Sequence, residues 1–272
     1  MTPNATDKVF AGSIPAIYET YLVPLIFQPY AEDLARRVAG RRVRRVLEIA
    51  AGTGVATRAL DSALPRDVDI VATDLNPAML EQAKSAGTRH AVVWKPADAM
   101  QLPFADEEFD LVVCQFGLMF FPDKPRALAE ARRVLGEGGL LLFNVWDRIE
   151  DNEFPEVVTT ALAEVFPADP PRFMARTPHG YHDKAAIRRD LAQGGFRSVP
   201  EIVTVTETSR AESPRVPAVA FCQGTPLRNE IEARDASRLE EATTAAENAI
   251  ARRFGAGAVE GRIQAHVVSV PA

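Results

Sequence analysis

The chain has 272 residues, of which 47% are hydrophobic and 25% charged, with a formal net charge of −6. That is ordinary globular usage, long enough for a sizeable core and short for two full domains, so one domain with insertions is expected. The acidic balance argues against a dedicated nucleic-acid binder, which carries a basic face, and no run of about 18 apolar residues offers a membrane span.

Two cysteines, Cys114 and Cys222, suggest no disulfide framework. The opening MTPNATDKVFAGS has neither a basic nor an apolar leader segment, so a cytoplasmic address is expected. Residues 14–39 read as two helices broken near Pro24 and Pro29, with Ala31, Leu34, Ala35 and Val38 at helical spacing. The basic cluster Arg41, Arg42, Arg44 and Arg45 reads as a solvated lead-in to a strand.

Strands and helices then alternate. Strands are expected over 43–49, 68–73, 91–95, 109–115 and 140–146. Helices fall over 55–64, 77–86 and 125–135, the last closed by GEGG. FDLVVCQ and LLLFNVW are apolar on both faces, the mark of strands covered on both sides. Such alternation implies a parallel sheet with helices on both faces and right-handed crossovers. After Asp147 the rhythm changes. A helix and loop occupy 150–180, and a helix over 185–193 ends at Gly194-Gly195. EIVTVTET (201–208) alternates as a strand, 216–254 is helical with an interruption at 224–226, and 262–270 is a last strand. The late strands thus form a hairpin-like pair with a helical insertion between them.

The stretch VLEIAAGTGVATRAL (46–60) is a strand, a glycine-rich turn and a helix start. Such a turn lets backbone approach a ligand, and the helix start offers free N–H groups. Ligands in parallel sheets sit at the carboxyl ends of the strands. A dinucleotide fingerprint needs a third small residue where Thr57 stands, and no P-loop lysine follows. Glu48, at the strand end, would repel a pyrophosphate and favour a cationic ligand. Asp74, about 20 residues past Gly54, suits ribose hydroxyls. Asp98, with Ala99 and Met100, suits an adenine edge and face. Ribose, adenine and a cationic amino-acid part describe S-adenosylmethionine better than NAD.

EIAAGTG resembles the acidic, glycine-spaced first motif of class I S-adenosylmethionine-dependent methyltransferases. TDLNPAML resembles their second, and PADAMQLPFADEEFDLVVCQFGLMFF and LAEARRVLGEGGLLLFNVWD their later ones. Over residues 14–196 this order is similar to the small-molecule (type 11) branch that includes ubiquinone/menaquinone-biosynthesis methyltransferases. The resemblance implies an α/β fold: a doubly wound, Rossmann-like seven-stranded sheet with an antiparallel last strand and helical cap insertions. It implies one domain over 1–272, with cap helices at 1–40, a cofactor-binding core at 41–147, and cap or insertion segments at 148–184 and 210–260. Segment 210–260 suits either a pocket cover or the contact of a homodimer.

The resemblance further implies methyl transfer from S-adenosylmethionine to a small-molecule acceptor, leaving S-adenosylhomocysteine. From the residues themselves no metal is expected, since no further clustered Cys or His completes the HxxH of 179–182, and no nucleic-acid partner or membrane span is expected either. Ala50, Gly52, Thr53 and Gly54 would face the methionine part, with Glu48 supporting it. Asp74 would bind ribose, Leu75 and Met79 would pack near adenine, and Asp98 and Ala99 would take its edge. Gln115, Phe116 and Gly117 would lie under the sulfonium, and Tyr18 and Tyr21 would close over the cofactor. Phe120 and Trp146 would line the substrate pocket. Ala50 stands where the family has its first glycine, and its methyl is tolerated where φ is negative.

Methyl transfer is an in-line displacement that needs alignment and exclusion of water more than strong acid–base groups. For an acceptor that must lose a proton, His179 and His182 in TPHGYHD are the candidate bases, or else solvated loop residues. His266 and Cys114, inside expected strands, read as structural. Two other classes compete: an NAD(P)-dependent oxidoreductase, against which Glu48 and Thr57 count, and a regulator that binds the cofactor without transfer. CQFG stands where nucleic-acid methyltransferases carry an Asn/Asp-Pro-Pro-Tyr/Phe motif.

Overall fold

The computed structural model describes residues 5–272. The apolar runs form one sheet of β1 (Arg45–Ile49), β2 (Asp69–Asp74), β3 (Val92–Pro96), β4 (Phe109–Gln115), β5 (Leu135–Trp146), β6 (Glu201–Ala211) and β7 (Val259–Pro271). Their order is β3-β2-β1-β4-β5-β7-β6. Strands β1 to β5 are parallel, and β7 runs antiparallel to both of its neighbours, β5 and β6. The chain reverses its direction of winding between β1 and β4, so a crevice opens at their carboxyl ends.

Alternate residues along each inner strand enter different cores. Val46, Leu111, Val113, Leu140 and Leu142 join one cluster, while Leu47, Val112, Leu141 and Phe143 join the other. Both faces are buried, which is why these strands read as continuous apolar runs. The flanking helices are α1 (Ile14–Ile17), α2 (Gln28–Val38), α3 (Val55–Ala63), α4 (Pro77–Ala86) and α5 (Lys124–Val134). Then come α6 (Glu153–Val165), α7 (Phe173–Arg176), α8 (Lys184–Gln193), α9 (Arg215–Gln223), α10 (Leu227–Asp235) and α11 (Leu239–Phe254). Local sequence sets several starts: the Asp123 carboxylate accepts from Arg126 N at 3.0 Å to open α5, and Asp183 accepts from Ala185 N at 2.8 Å to open α8. Helices α9–α11 join β6 to β7, as the expected insertion.

Several boundaries differ from the sequence reading. Residues 14–38 are not broken at Pro24; a π-helical stretch, Tyr18–Phe27, links α1 to α2. Its wider turns absorb the proline ring and its missing N–H, and Gln28 N bonds back to Val23 O. GEGG does not close a helix into a loop. It lies inside β5, where the pairing with β4 slips between Phe109 and Leu111, and Gly138 takes φ +72°. Strands β6 and β7 outrun their alternating cores because they pair with each other from Glu201↔Ser269 to Ala211↔Val259. Arg44 and Arg45 are not merely solvated: both backbone N–H groups donate to Asp110, at 2.7 and 2.9 Å.

Candidate active site

The turn after β1 is built on alternating left-handed residues: Ala50 at φ +55°, Gly52 at +57° and Gly54 at +82°. Glycine holds such angles without strain, whereas alanine costs about 1 kcal/mol. The negative φ expected of Ala50 is therefore not found. Gly117 makes room for its methyl, since a Cβ there would come within 2.5 Å of the Ala50 Cβ. Asp74, at the end of β2, pins the turn. Its Oδ2 accepts from Gly52 N at 2.9 Å and its Oδ1 from Asn76 N at 2.8 Å. Burial raises its carboxyl above the usual range, against the pull of those donors.

Of the expected glycine-loop trio, only Gly52 reaches the cleft that opens here. Gly54 packs away from it, where a Cβ would lie 2.9 Å from the Trp94 ring and 3.1 Å from Ala83. Thr53 is buried, its carbonyl taking Arg58 Nη1 at 2.7 Å and its hydroxyl lacking a partner. Glu48 lies beneath the loop, outside the cleft, and accepts from the Thr57 hydroxyl. Burial pushes its carboxyl up to about 8, so it is mostly neutral at pH 7. Its charge therefore does not select against a pyrophosphate, and Thr57 does not crowd the helix but satisfies the buried acid.

The cleft, open to solvent along one side, spans about 830 Å³. Ala50, Gly52 and Asp74 form one wall, with Leu75 and Met79 beside them. Asp98, Ala99 and Met100 form another, and Gln115, Phe116 and Gly117 close the end of β4. Asp98 turns back on Met100 N at 2.9 Å and stays exposed. Gln115 donates to Phe27 O at 3.0 Å, while its buried Oε1 has no protein partner. Phe116, held at φ +50°, donates its N–H to Asn144 Oδ1 at 2.9 Å. Its ring stacks on Trp146, with centroids 3.8 Å apart and planes 8° from parallel. Such backbone strain aims a ring at the end of β4.

A second chamber of about 440 Å³, partly open to solvent, adjoins the cleft and shares Phe10, Tyr18, Phe116 and Phe120 with it as walls. Phe27, Trp146, Phe173, Met174 and Phe221 add further walls, and no charged side chain lines it among the described residues. Tyr18 and Phe120 thus sit at the junction and Trp146 in the chamber, while Tyr21 lines neither cavity. His179 and His182 line neither cavity as well. His179 is buried, its Nδ1 bonded to Asp147 O at 2.8 Å, and burial pushes its imidazole down to about 4. It is thus neither a cavity base nor a solvated loop residue. His182 Nδ1 bonds to His179 O at 2.8 Å. His266 faces Asp147 Oδ1 at 3.3 Å. Burial pushes the Cys114 thiol up to about 12. Sequence reasoning missed Lys8 and Phe10, which precede any periodic segment, and Phe173 and Phe221, whose only signal was helical amphipathicity.

Residues 47–143 match the family model of a methyltransferase domain. A ubiquinone/menaquinone biosynthesis C-methyltransferase of Burkholderia mallei (strain SAVP1) is 32% identical over 165 residues, covering 57% of this chain and 68% of that protein. The chain belongs to the class I S-adenosylmethionine-dependent methyltransferases. A demethylmenaquinone methyltransferase of Deinococcus radiodurans is 42% identical over 167 residues, 60% of this methyltransferase and 66% of its relative. The fold is also that of phosphoethanolamine N-methyltransferase 2 of Haemonchus contortus, solved with phosphomonomethylethanolamine and S-adenosylhomocysteine. That likeness has a TM-score of 0.58 at 15% identity, over 95% of this chain and 57% of the other.

The methyltransferase uses S-adenosylmethionine and acts on a small molecule. These likenesses give no support to the oxidoreductase reading or to a regulator without transfer. Its residues fit the cofactor: two acids, an unpartnered buried amide oxygen and aromatic faces line one cleft.

Proposed function

We propose that the cleft holds S-adenosylmethionine and that the aromatic chamber behind it takes an apolar, electron-rich ring as methyl acceptor. The observation that carries this reading is that the two cavities adjoin, with Phe10, Tyr18, Phe116 and Phe120 as common walls, one edged with acids and the other free of charged side chains among the described residues. Bound there, the cofactor supplies an electrophilic methyl group on a sulfonium. Asp74 accepts from ribose hydroxyls, Leu75 and Met79 flank the base, and Asp98 and Ala99 meet its edge. Ala50 and Gly52 border the amino-acid part. Gln115 Oε1 and the Phe116 ring face the cationic centre, since oxygen lone pairs and aromatic faces favour positive charge. Phe120 and Trp146 line the acceptor's chamber and keep water out.

Tyr18 is the only ionisable group lining the chamber among the described residues, and burial raises its phenol well above the usual range. No base with a neutral-range pKa lines the chamber among the described residues, which suits a nucleophile that attacks before it loses a proton. A carbon of an electron-rich ring attacks through its π electrons and releases its ring proton to water only after the methyl has been transferred, and the relatives' names record C-methylation in quinone biosynthesis. Domain 1–272 acts as one unit, with 1–40, 148–184 and 210–260 as its cover; residues 1–4 lie outside the described residues. The apolar positions of α11, Ala242, Ala246 and Ile250, are buried within the chain, which supports a cover over a homodimer contact. No helix among the described residues is long and apolar enough to cross a membrane. The net charge of −6 suits a small-molecule acceptor better than a nucleic acid, and the proposed place of work is the cytoplasm. S-adenosylhomocysteine release with a panel of hydroquinones, amines and carboxylic acids tests the reading. Turnover confined to charged amines or acids would sink it.

A further inference from the structure

Three charged residues line the cofactor cleft among the described residues: Asp74, Asp98 and Lys8. The two acids answer the positive centres of S-adenosylmethionine, but the cofactor also carries a carboxylate. An anion taken into such a cleft without a donor is costly. Gly52 N–H, the loop donor that borders the cleft, is already given to Asp74. The first turn of α3, Val55 to Thr57, is buried and lies outside the cleft lining. Lys8 is the cation that remains.

The segment that bears Lys8 is fixed on both sides. Before it, the buried Asp7 carboxylate takes Arg176 Nη2 and the Thr177 hydroxyl, both at 2.6 Å. Arg176 also donates to Glu230 at 2.6 Å, tying this strap to α7 and α10. After it, Phe10 packs edge-on to Tyr18 and Phe120, with centroids 6.1 and 6.0 Å away. Fixing the backbone on either side lowers the entropy lost when Lys8 engages an anion.

We propose that Lys8 is the partner of the cofactor's carboxylate, and that the buried Asp7–Arg176–Glu230 cluster is a latch that positions it. The inference rests on the cofactor placement proposed above. Calorimetry with S-adenosylhomocysteine and with 5′-methylthioadenosine, which lacks the amino-acid part, separates the two. Lys8→Met should weaken S-adenosylhomocysteine about tenfold, the scale of one charge-assisted contact, and leave 5′-methylthioadenosine unchanged. Lys8→Arg should keep most of the preference. Asp7→Asn should lower the ratio of the two affinities, and should lower it no further when Lys8→Met is already present. A Lys8→Met protein with unaltered S-adenosylhomocysteine affinity, or with equal losses for both ligands, would overturn the role of Lys8. If wild-type protein binds neither ligand, the cleft itself has been misassigned and the role of Lys8 falls with it.

Discussion

Replacing Glu48 by glutamine should reverse the sign of its effect on stability between mildly acidic and alkaline pH. The unfolded carboxyl titrates near 4.5 and the folded one at about 8, because burial disfavours the charge. Between those values the folded state holds the extra proton, so stability falls as pH rises. The fall is about 1.4 kcal/mol per pH unit and about 5 kcal/mol across the window, complete once pH passes the folded value and absent below the unfolded one. Glutamine keeps an oxygen for Thr57 but brings a buried NH₂ without an acceptor, at about 1–2 kcal/mol. At pH 4, then, Glu48→Gln should destabilise by about 1–2 kcal/mol. At pH 9 it should stabilise by about 3 kcal/mol, as the wild type carries the full charge-burial cost and the variant does not. Urea unfolding of both proteins at a series of pH values reads this directly. Equal destabilisation at both ends, with an unchanged pH slope, would show that Glu48 is ionised in the fold and would refute the reasoning.

Asp74→Ala should weaken S-adenosylhomocysteine binding by about 1–3 kcal/mol in calorimetry, through lost charge-assisted hydrogen bonds and the release of Gly52. Gly54→Ala should cost about 2–3 kcal/mol in unfolding experiments, from its left-handed angle and the Trp94 contact, yet change cofactor affinity by less than about threefold. Gly117→Ala should destabilise by about 1–3 kcal/mol, through contacts with the Ala50 methyl and the Cys114 sulfur, and Ala50→Gly should recover the first part of that in the double variant; a double-mutant cycle with no coupling would mean the two positions do not meet.

The sheet was legible because its inner strands are apolar on both faces, which no surface element needs to be. The acids at the ends of β1 and β2 and the turn between β1 and α3 were legible too, since turn and capping chemistry is local. What each does was less so. Glu48 and Thr57 looked like two departures from a nucleotide loop, and only their contact shows that one satisfies the other. Gly52 and Gly54 share a residue type and a positive φ, but Trp94, forty residues on, occupies the space beside Gly54. Pro24 marks a helix break by local rules, and a π-helical stretch absorbs it because the surrounding residues are buried. The chamber was the least legible. Its walls come from α7, α9, the N-terminal helices and the ends of β4 and β5, and aromatic residues at helical spacing look the same whether they fill a core or line a cavity.

The place of β7 gives the methyltransferase an order of assembly. Strand β6 reaches the rest of the sheet only through β7, which follows it in the chain after α9–α11. The five parallel strands and the cleft at their ends can pair as they are made, but β6 must wait, an edge without a partner. Phe221 and Thr225, which wall the chamber, lie on the segment between β6 and β7, where α9 packs on the Tyr18–Phe27 stretch and on α11. In the order of synthesis, every residue lining the cleft, from Lys8 to Pro122, precedes the chamber's last walls, Phe221 to Pro226, so one cavity has all its residues while the other still lacks a side.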